Sequence, residues 1–338
     1  MTKRVTLATV AEALGVSAMT VSNAYNRPSK LSPELRERVL AKAKELGYAG
    51  PHPTARSLRR GRAGALGVLL GETLPYAFED PAALQFLRGL ARASVESGIA
   101  LHLVPHAGDP ALVRDAVVDA FVLFALPDGH PLVDALLERN VPLVVHGGPE
   151  LPGHPLVAVD EKAAAVAAAE HVQALGHTRI GAIAIPLGLF GARANREVAA
   201  DAVAAHRITR ERLAGYREAV PDVVVREVVV NAREHGELAA RALLDGPDPP
   251  TAILCMSDEL AIGALRAIGD RNVSVVGWDD TAEAERAGLT TIHQSLDDQG
   301  RVCAELVAQG APAGVYLEPW RLVVRGSTRG GSRGARRV

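Results

Sequence analysis

The 338-residue sequence predicts a small all-helical head, a linker, and an α/β body of two lobes built on parallel sheets. Three observations predict it. Residues 6–47 hold three short amphipathic segments, each with its own start and stop signals. A Pro/Gly-rich stretch, "AGPHPTARSLRRGRAG", follows at 49–64. Beyond it, apolar runs alternate with Ala/Leu-rich helical segments, the alternation of parallel strands and crossover helices. The expected parts are a head at 1–50, a linker at 51–63, a body at 64–325 and a basic disordered tail at 326–338.

In "TLATVAEALG", Thr6 can cap a helix whose Leu7, Val10, Ala11 and Leu14 recur at i, i+3, i+4 and i+7. Gly15 ends it. Ser17 caps a second helix, about Ala18 to Tyr25, with Val21 and Tyr25 turned inward. Ser32 caps the third, in "LSPELRERVLAKAKELGY". There Pro33 takes the first helical position, Glu34 meets the positive helix end and Gly47 stops the run. Its inward stripe is Leu35, Val39, Ala43 and Leu46.

Two capped helices joined by Gly15-Val16-Ser17, with a third behind them, are helix-turn-helix grammar. In that motif the second helix enters the DNA major groove with its first residues at base edges. Ala18, Met19, Ser22 and Asn23 are then the expected reading face. Asn can bond both edge groups of adenine, and Ala or Met can meet a thymine methyl. Thr6, Ser17, Thr20, Asn26 and Ser32 are short polar residues at helix ends, suited to phosphate oxygens.

Charge supports this division. Residues 1–64 carry twelve Lys and Arg against four Asp and Glu, and "RGSTRGGSRGARRV" at the end adds five Arg and no acid. The segment between them holds 20 basic against 35 acidic residues, so a basic head precedes an acidic body. A polyanion is the expected partner of the head alone. The N-terminal stretch lacks a signal-peptide pattern and no run is long and apolar enough to span a bilayer, so a cytoplasmic, nucleoid-associated protein without a membrane partner is expected. The two cysteines, Cys255 and Cys303, have no metal-ligand spacing and read as packed thiols.

In the body, "ALGVLLG", "ALHLVPH", "VDAFVLFAL", "VPLVVH", "RIGAIAIP", "VVVREVVV", "TAILCM" and "VSVVGW" read as buried strands. Helices are expected at 162–175, 233–244 and 259–268, and Asp160 should cap the first of them. Eight strands over this length suit two α/β lobes better than one. Ligands of such sheets bind outside the carboxyl ends of the strands.

The stretch "VTLATVAEALGVSAMTVSNAYNRPSKLSPELRERVLAKAKELGY" resembles the DNA-binding domain of the lactose-repressor (LacI/GalR) family of bacterial transcription factors. The matching pieces are V-T-L-x-x-V-A, G-V-S-x-x-T-V-S, the closing Asn26, L-S-x-x-x-R-x-R-V and L-G-Y. "ARSLRRGRAGALGVLL" resembles the family's hinge and first body strand. "HVQALGHTRIG", "RLAGYREAV", "SDELAIGALRAIG", "VVGWDDT" and "LTTIHQ" resemble further family blocks in the family's order.

That resemblance implies a transcriptional repressor whose operator affinity is set by a small-molecule effector, a sugar or nucleoside-like metabolite, held between two lobes like those of periplasmic binding proteins. It implies a homodimer, or a tetramer, on a pseudo-palindromic double-stranded operator, and no cofactor or metal. A short hinge helix would fold on DNA and push Leu58, with Ala55 and Arg56 beside it, into the minor groove. The N-lobe is expected at about 64–158 and 292–318, and the C-lobe at about 160–290 and 320–325. Arg212, Asp279, Trp278 and Ser257 match effector-pocket positions, with Trp278 offering a flat face to a sugar ring. Tyr76, Phe78, Asp80 and Phe86 would line the mouth of the first lobe.

The chain departs from the family pattern in three places. Asn23 stands where many members carry Arg, so a bidentate guanine contact is lost. His52 stands where the hinge usually begins with Asn, and one extra residue separates Tyr48 from the hinge. Residues 188–209 form a longer loop than usual, expected to roof the pocket. An enzyme reading finds no G-x-G-x-x-G, Walker loop or H-E-x-x-H, and "GGSRG" at 330–334 sits in the basic tail away from any strand-turn-helix. The remaining alternative is a solute-binding receptor without a DNA role, which the basic head opposes.

Overall fold

A computed structural model of the chain describes residues 5–50, 61–105, 109–188 and 195–331. Leu58, Ala55 and Arg56, together with His52, lie outside the described residues. The chain divides into two units, 1–64 and 65–338.

The first unit is a three-helix head: α1 (Leu7–Leu14), α2 (Ala18–Asn26) and α3 (Pro33–Glu45). Each start is the expected cap. Thr9 N donates to Thr6 Oγ1 at 3.4 Å, Thr20 N to Ser17 Oγ at 3.0 Å and Leu35 N to Ser32 Oγ at 3.2 Å. Each cap satisfies one of the four donors that a helix start leaves unpaired. Gly15 has φ +63°, the left-handed conformation that lets the chain turn from α1 into α2. Val10 and Ala11, Val21 and Ala24, and Val39 and Ala43 supply two buried residues from each helix, with Tyr25 and Tyr48 edge-to-face at 5.9 Å.

The second unit holds two sheets. The first lobe contains β1 (Ala65–Leu70), α4 (Leu74–Ala77), α5 (Pro81–Ser97), β2 (Ala100–Val104), α6 (Pro110–Arg114), β3 (Ala120–Phe124), α7 (Pro131–Glu138), β4 (Leu143–His146) and β5 (Pro155–Ala158). The second contains α8 (Glu161–Ala174), β6 (Ile180–Ala184), β7 (Arg196–Glu197), α9 (Arg207–Ala219), β8 (Val224–Glu227), α10 (Arg233–Leu244), β9 (Ala252–Cys255), α11 (Asp258–Ile268), β10 (Ser274–Asp279), α12 (Ala282–Arg286) and β11 (Thr290–Gln294). The chain then returns to the first lobe with α13 (Leu296–Gln309) and β12 (Gly314–Leu317), and ends in the second with β13 (Trp320–Val323).

The N-lobe sheet has the order β12-β5-β4-β3-β1-β2, all parallel. The C-lobe sheet has the order β13-β11-β10-β9-β6-β8-β7, with antiparallel edges at β13 and β7. Alternate residues of each strand enter opposite cores. Val68, Leu70 and Val122 face α5 and α13, while Leu69, Phe121 and Leu123 face α6 and α7. In the C-lobe, Leu254 and Val276 face α8 and α9, whereas Ile253 and Val275 face α10 and α11. Burial on both faces is why these strands read as unbroken apolar runs. Gly89 of α5 meets the Asp297 backbone and Gly300 of α13 meets that of Phe86, so a side chain at either would push these helices apart.

The chain passes between lobes after β5, after β11 and after β12. The second passage corrects an expected boundary. Residues 292–294 belong to the C-lobe, because β11 pairs with β10 and β13 up to Gln294. The expected tail is also corrected at its start. Residues 326–331 lie against the C-lobe: Val275 N donates to Ser327 O at 2.9 Å, Arg329 N to Ser274 Oγ at 2.9 Å, and Gly331 N to Leu175 O at 2.9 Å. A polar Gly/Ser/Thr run can remain ordered when neighbouring backbone groups still need partners. Residues 332–338 lie outside the described residues.

Candidate DNA-reading face and inter-lobe cleft

On the head, Ala18 is exposed and Met19 is 68% exposed, with half-buried Asn23 one turn further along α2. Ser22 is a correction. It is 6% exposed and faces inward, where Asn26 Nδ2 donates to Ser22 O at 3.0 Å and approaches Ser22 Oγ at 3.3 Å. The two residues latch the last turn of α2, so Ser22 leaves the reading face and the Asn26 amide is engaged internally. Thr6, Ser17 and Ser32 remain exposed at their helix starts, and Thr20 is half-buried with its hydroxyl 2.9 Å from that of Ser17. α2 carries no acidic residue, and Arg27, Lys30, Arg36 and Arg38 are exposed on the same head. Anions and base edges therefore meet donors and apolar contacts without a carboxylate on that helix.

In the second unit, residues at or just beyond the carboxyl ends of strands in both sheets meet: Tyr76 reaches Asn231, and His146 is joined to Asp279 through Gln299 and Gln294. On the C-lobe side, Arg212 projects from α9 and is buried. Its Nε donates to Glu161 Oε2 at 2.7 Å, its Nη1 donates to Met256 O at 2.5 Å, and its guanidinium lies 4.0 Å from the centre of the Trp278 ring. Glu161 begins α8, which Asp160 caps as expected through Ala163 N at 3.0 Å. Trp278 is a second correction. Its side chain is 0% exposed and one face carries Arg212, so it supports the guanidinium instead of offering an open face. Its Nε1 has no partner among the described residues.

Asp279, at the end of β10, has φ +108°, and Asp280 follows with φ +58°. Two successive non-glycine residues at positive φ are strained, and their neighbours hold them there. Asp280 accepts from Arg325 Nη2 at 2.6 Å and pairs with His293 Nδ1 at 2.8 Å. Asp279 accepts from Gln294 Nε2 at 2.8 Å, and burial pushes its carboxyl above the usual carboxylate range. Beneath it, Asp258 accepts from Thr291 Oγ1 at 2.6 Å and Thr281 N at 2.7 Å, with its pKa pushed up to about 6, chiefly by burial. Ser257 caps α11 at Leu260 N, 3.1 Å away, and donates to Asn231 Oδ1.

On the N-lobe side, Tyr76 reaches across and donates to Asn231 O at 2.9 Å. Asp80 caps α5 through Ala82 N and Ala83 N. Desolvation raises Asp80 to about 6, and raises Glu72 to about 7 with help from the charge on Asp80. Glu72 stays accessible to solvent while protein closes around it, as on the wall of a cleft. Phe86 is a third correction: it is 0% exposed in the lobe core, 4.5 Å from Phe124 and from His146 between ring centres. Phe78 is 53% exposed beyond the end of α4, and no described contact ties it to the cleft.

Part of the long loop does reach the opposite lobe. Asp128 N donates to Ala205 O at 2.9 Å and Asp128 pairs with Arg210 at 2.6 Å. The loop is pinned by β7 against β8, by Arg217 donating to Ala199 O and Ala202 O, and by buried Glu227, which accepts from Leu187 N at 2.7 Å. Residues 189–194 lie outside the described residues. Glu161, Asn231, His146, Gln294 and Gln299 join the hydrogen-bond network around these residues without having been singled out in the sequence. Glu161 had a signal, an acid at the start of α8 beside the expected cap. The glutamines had none, because an amide within an apolar-periodic run reads as an ordinary helix or strand position. Among the described residues, no group of three or more His, Cys, Asp or Glu is arranged to hold a metal ion.

Residues 6–50 match the family of bacterial regulatory proteins named for lacI, and residues 169–328 match the periplasmic binding protein-like domain. An HTH-type transcriptional regulator of Mycobacterium tuberculosis is 39% identical, covering 97% of this chain and 98% of its own. The chain belongs to the LacI family. Like other LacI-family members, it is a DNA-binding transcriptional regulator with a helix-turn-helix head and a two-lobed α/β body. Its fold resembles the Lac repressor dimer bound to operator and the anti-inducer ONPF, with a TM-score of 0.74 and 26% identity, covering 97% of this chain and 100% of that one. It also resembles a CelR–cellobiose complex, with a TM-score of 0.65 and 28% identity, covering 96% of this chain and 100% of the other. Among the described residues, no helix is long and apolar enough to cross a membrane.

Proposed function

We propose that this LacI-family regulator is a cytoplasmic repressor whose grip on a pseudo-palindromic operator is set by a neutral, polyhydroxylated or nucleoside-like effector held between the lobes. The observation that carries this reading is the buried Arg212–Glu161 pair beside Asp279, at the strand ends of a cleft bridged by Tyr76. A fixed guanidinium beside a carboxylate, with aromatic packing behind it, suits hydroxyl-rich ligands. The CelR–cellobiose complex shows that a protein of similar fold takes a sugar.

A homodimer places two heads on successive major-groove faces, about one helical turn apart. The dimeric, operator-bound Lac repressor supports that assembly, and a tetramer is an extension of it. Ala18, Met19 and Asn23 read bases, Thr6, Ser17, Thr20 and Ser32 meet phosphates, and Leu58 with Ala55 and Arg56 enters the minor groove from residues 51–63. Effector binding shifts the lobes between two arrangements by its differential affinity for them, typically ~1–3 kcal/mol.

The test selects DNA from a random library with the full chain, then repeats the binding with each of a panel of sugars and nucleosides. The expected result is an enriched inverted repeat whose affinity changes with at least one ligand. An unenriched library would refute the operator reading, and ligand-indifferent binding to an enriched repeat would refute the effector reading. Deleting residues 1–62 should abolish the binding.

A further inference from the structure

A single file of hydrogen bonds crosses between the lobes at the second chain passage. Asp279 Oδ1 accepts from Gln294 Nε2 at 2.8 Å, Gln294 Oε1 accepts from Gln299 Nε2 at 3.2 Å, and Gln299 Oε1 lies 2.7 Å from His146 Nε2. All four side chains are buried. The file has a direction. The amide orientations set it: Gln294 turns its NH2 toward Asp279 Oδ1. Its oxygen then faces Gln299, whose NH2 turns toward it and whose oxygen faces His146. An acceptor at that position demands a proton on His146 Nε2.

Neutral imidazole carries one N–H, so this arrangement leaves His146 Nδ1 with a bare lone pair. That atom is buried and has no partner among the described residues. The ring itself is fixed, stacked on Phe124 at 5.0 Å with an interplanar angle of 4° and packed against Phe86. It stands at the carboxyl end of β4. Burial lowers its pKa to about 4, which keeps it neutral at physiological pH.

We infer that Gln294 and Gln299 are positioning residues that carry the polarity of Asp279 in the C-lobe to His146 in the N-lobe, fixing the proton of His146 on Nε2 and leaving Nδ1 as an acceptor. An acceptor so fixed is satisfied only by an O–H or N–H donor. The relay exists without any ligand.

The test uses the full chain labelled with 15N in histidine, without ligand, at pH 7, and reads the tautomer of His146 from proton–nitrogen correlations within the imidazole ring. The expected wild-type signature is a protonated Nε2 and an unprotonated Nδ1. Gln299→Met removes the acceptor and should move His146 toward the other tautomer or a mixture. Gln299→Glu, which can only accept, should retain the Nε2 proton. A wild-type Nδ1–H tautomer, or a Gln299→Met spectrum identical to wild type, overturns the relay. If Gln299→Met does not fold, the wild-type and Gln299→Glu spectra decide. The expected tautomers with no melting shift from cellobiose, hexoses or nucleosides support the relay and tell against the effector reading.

Discussion

Arg212 and Glu161 form an ion pair at 2.7 Å, with side chains 5% and 3% exposed. Both charges have left water, and each is compensated by the other, with Met256 O taking a further guanidinium hydrogen. Breaking such a pair by deleting one partner strands the other charge, at a cost of roughly 3–5 kcal/mol. Glu161→Ala is therefore expected to lower the urea midpoint of the body strongly. Glu161→Gln keeps an acceptor for Arg212 Nε and should cost less. Equal losses for the two variants would show that the hydrogen bond kept by Gln does not offset the missing charge, and no loss in either would show that the pair does not stabilise the fold.

Adjacent residues on α2 should separate stability from specificity. Ser22 is buried and latched to Asn26, so Ser22→Ala is expected to lower the head's melting temperature by an amount equivalent to about 1 kcal/mol. Its preference among operators should not change. Asn23→Ala is expected to leave stability within ~0.5 kcal/mol and relax base preference at one operator position by ~1–3 kcal/mol. Melting curves together with salt-matched titrations on specific and random DNA decide the matter. A specificity change in Ser22→Ala without a stability change would reverse the assignment.

His146 makes the fold sensitive to acid. Its folded pKa is lowered from the usual 6.5 to about 4, first by burial and against the effect of Gln299. Below pH 6.5 the unfolded chain takes up a proton that the folded chain refuses. The contribution to stability is complete above that pH and is lost as pH falls toward 4. Asp258 acts in the opposite sense, because its raised pKa of about 6 makes ionisation on rising pH unfavourable to the fold. Comparing wild type with His146→Gln isolates the histidine. Between pH 7 and pH 4 the wild type should lose up to roughly 3 kcal/mol more than the variant in chemical denaturation. Parallel stability–pH curves would exclude His146 as a buried neutral group.

Much of the architecture was legible because burial writes simple patterns. The head's caps at Thr6, Ser17 and Ser32 are local chemistry, and the strands around Val68, Val122 and Ile183 are apolar on both faces. The sequence pattern does not mark β5, β7, β11, β12 or β13 as strands. Pro155–Ala158 is short, and Thr290–Gln294 is polar at every position but Ile292, with Thr290, Thr291 and Gln294 hydrogen-bonded inside the C-lobe. In the cleft, Arg212, Asp279 and Ser257 were legible through the family resemblance, and Tyr76 through the segment that follows β1. Ser22 was misplaced because a small hydroxyl suits a groove contact and an intrahelical latch equally well. Phe86 was misplaced because one turn of α5 decides whether an aromatic faces the cleft or the core. Gln299 and His146 come together across 153 positions of sequence, a juxtaposition that forms only when α13 packs on the N-lobe sheet.

The strap at 326–331 yields a final prediction. Its groups satisfy buried polar atoms at the base of the C-lobe: Thr328 Oγ1 lies 2.9 Å from Thr290 Oγ1 and 3.0 Å from His171 Nε2, and Arg329 O lies 2.9 Å from His177 Nε2. Ser327 Oγ accepts from Thr290 N at 2.8 Å and donates to Val275 O at 2.7 Å. Ending the chain at Arg325 would remove all of these partners while deleting no residue of β13. Each buried group left unpaired costs ~1–3 kcal/mol, less where water enters. Truncation at Arg325 should therefore lower the melting temperature by several degrees, whereas truncation at Gly331 should leave it unchanged. The Ser327→Ala variant of the full chain checks the cause, since it removes one hydroxyl and leaves the strap backbone in place. If both truncations melt like the full chain, the strap lies on the lobe without stabilising it.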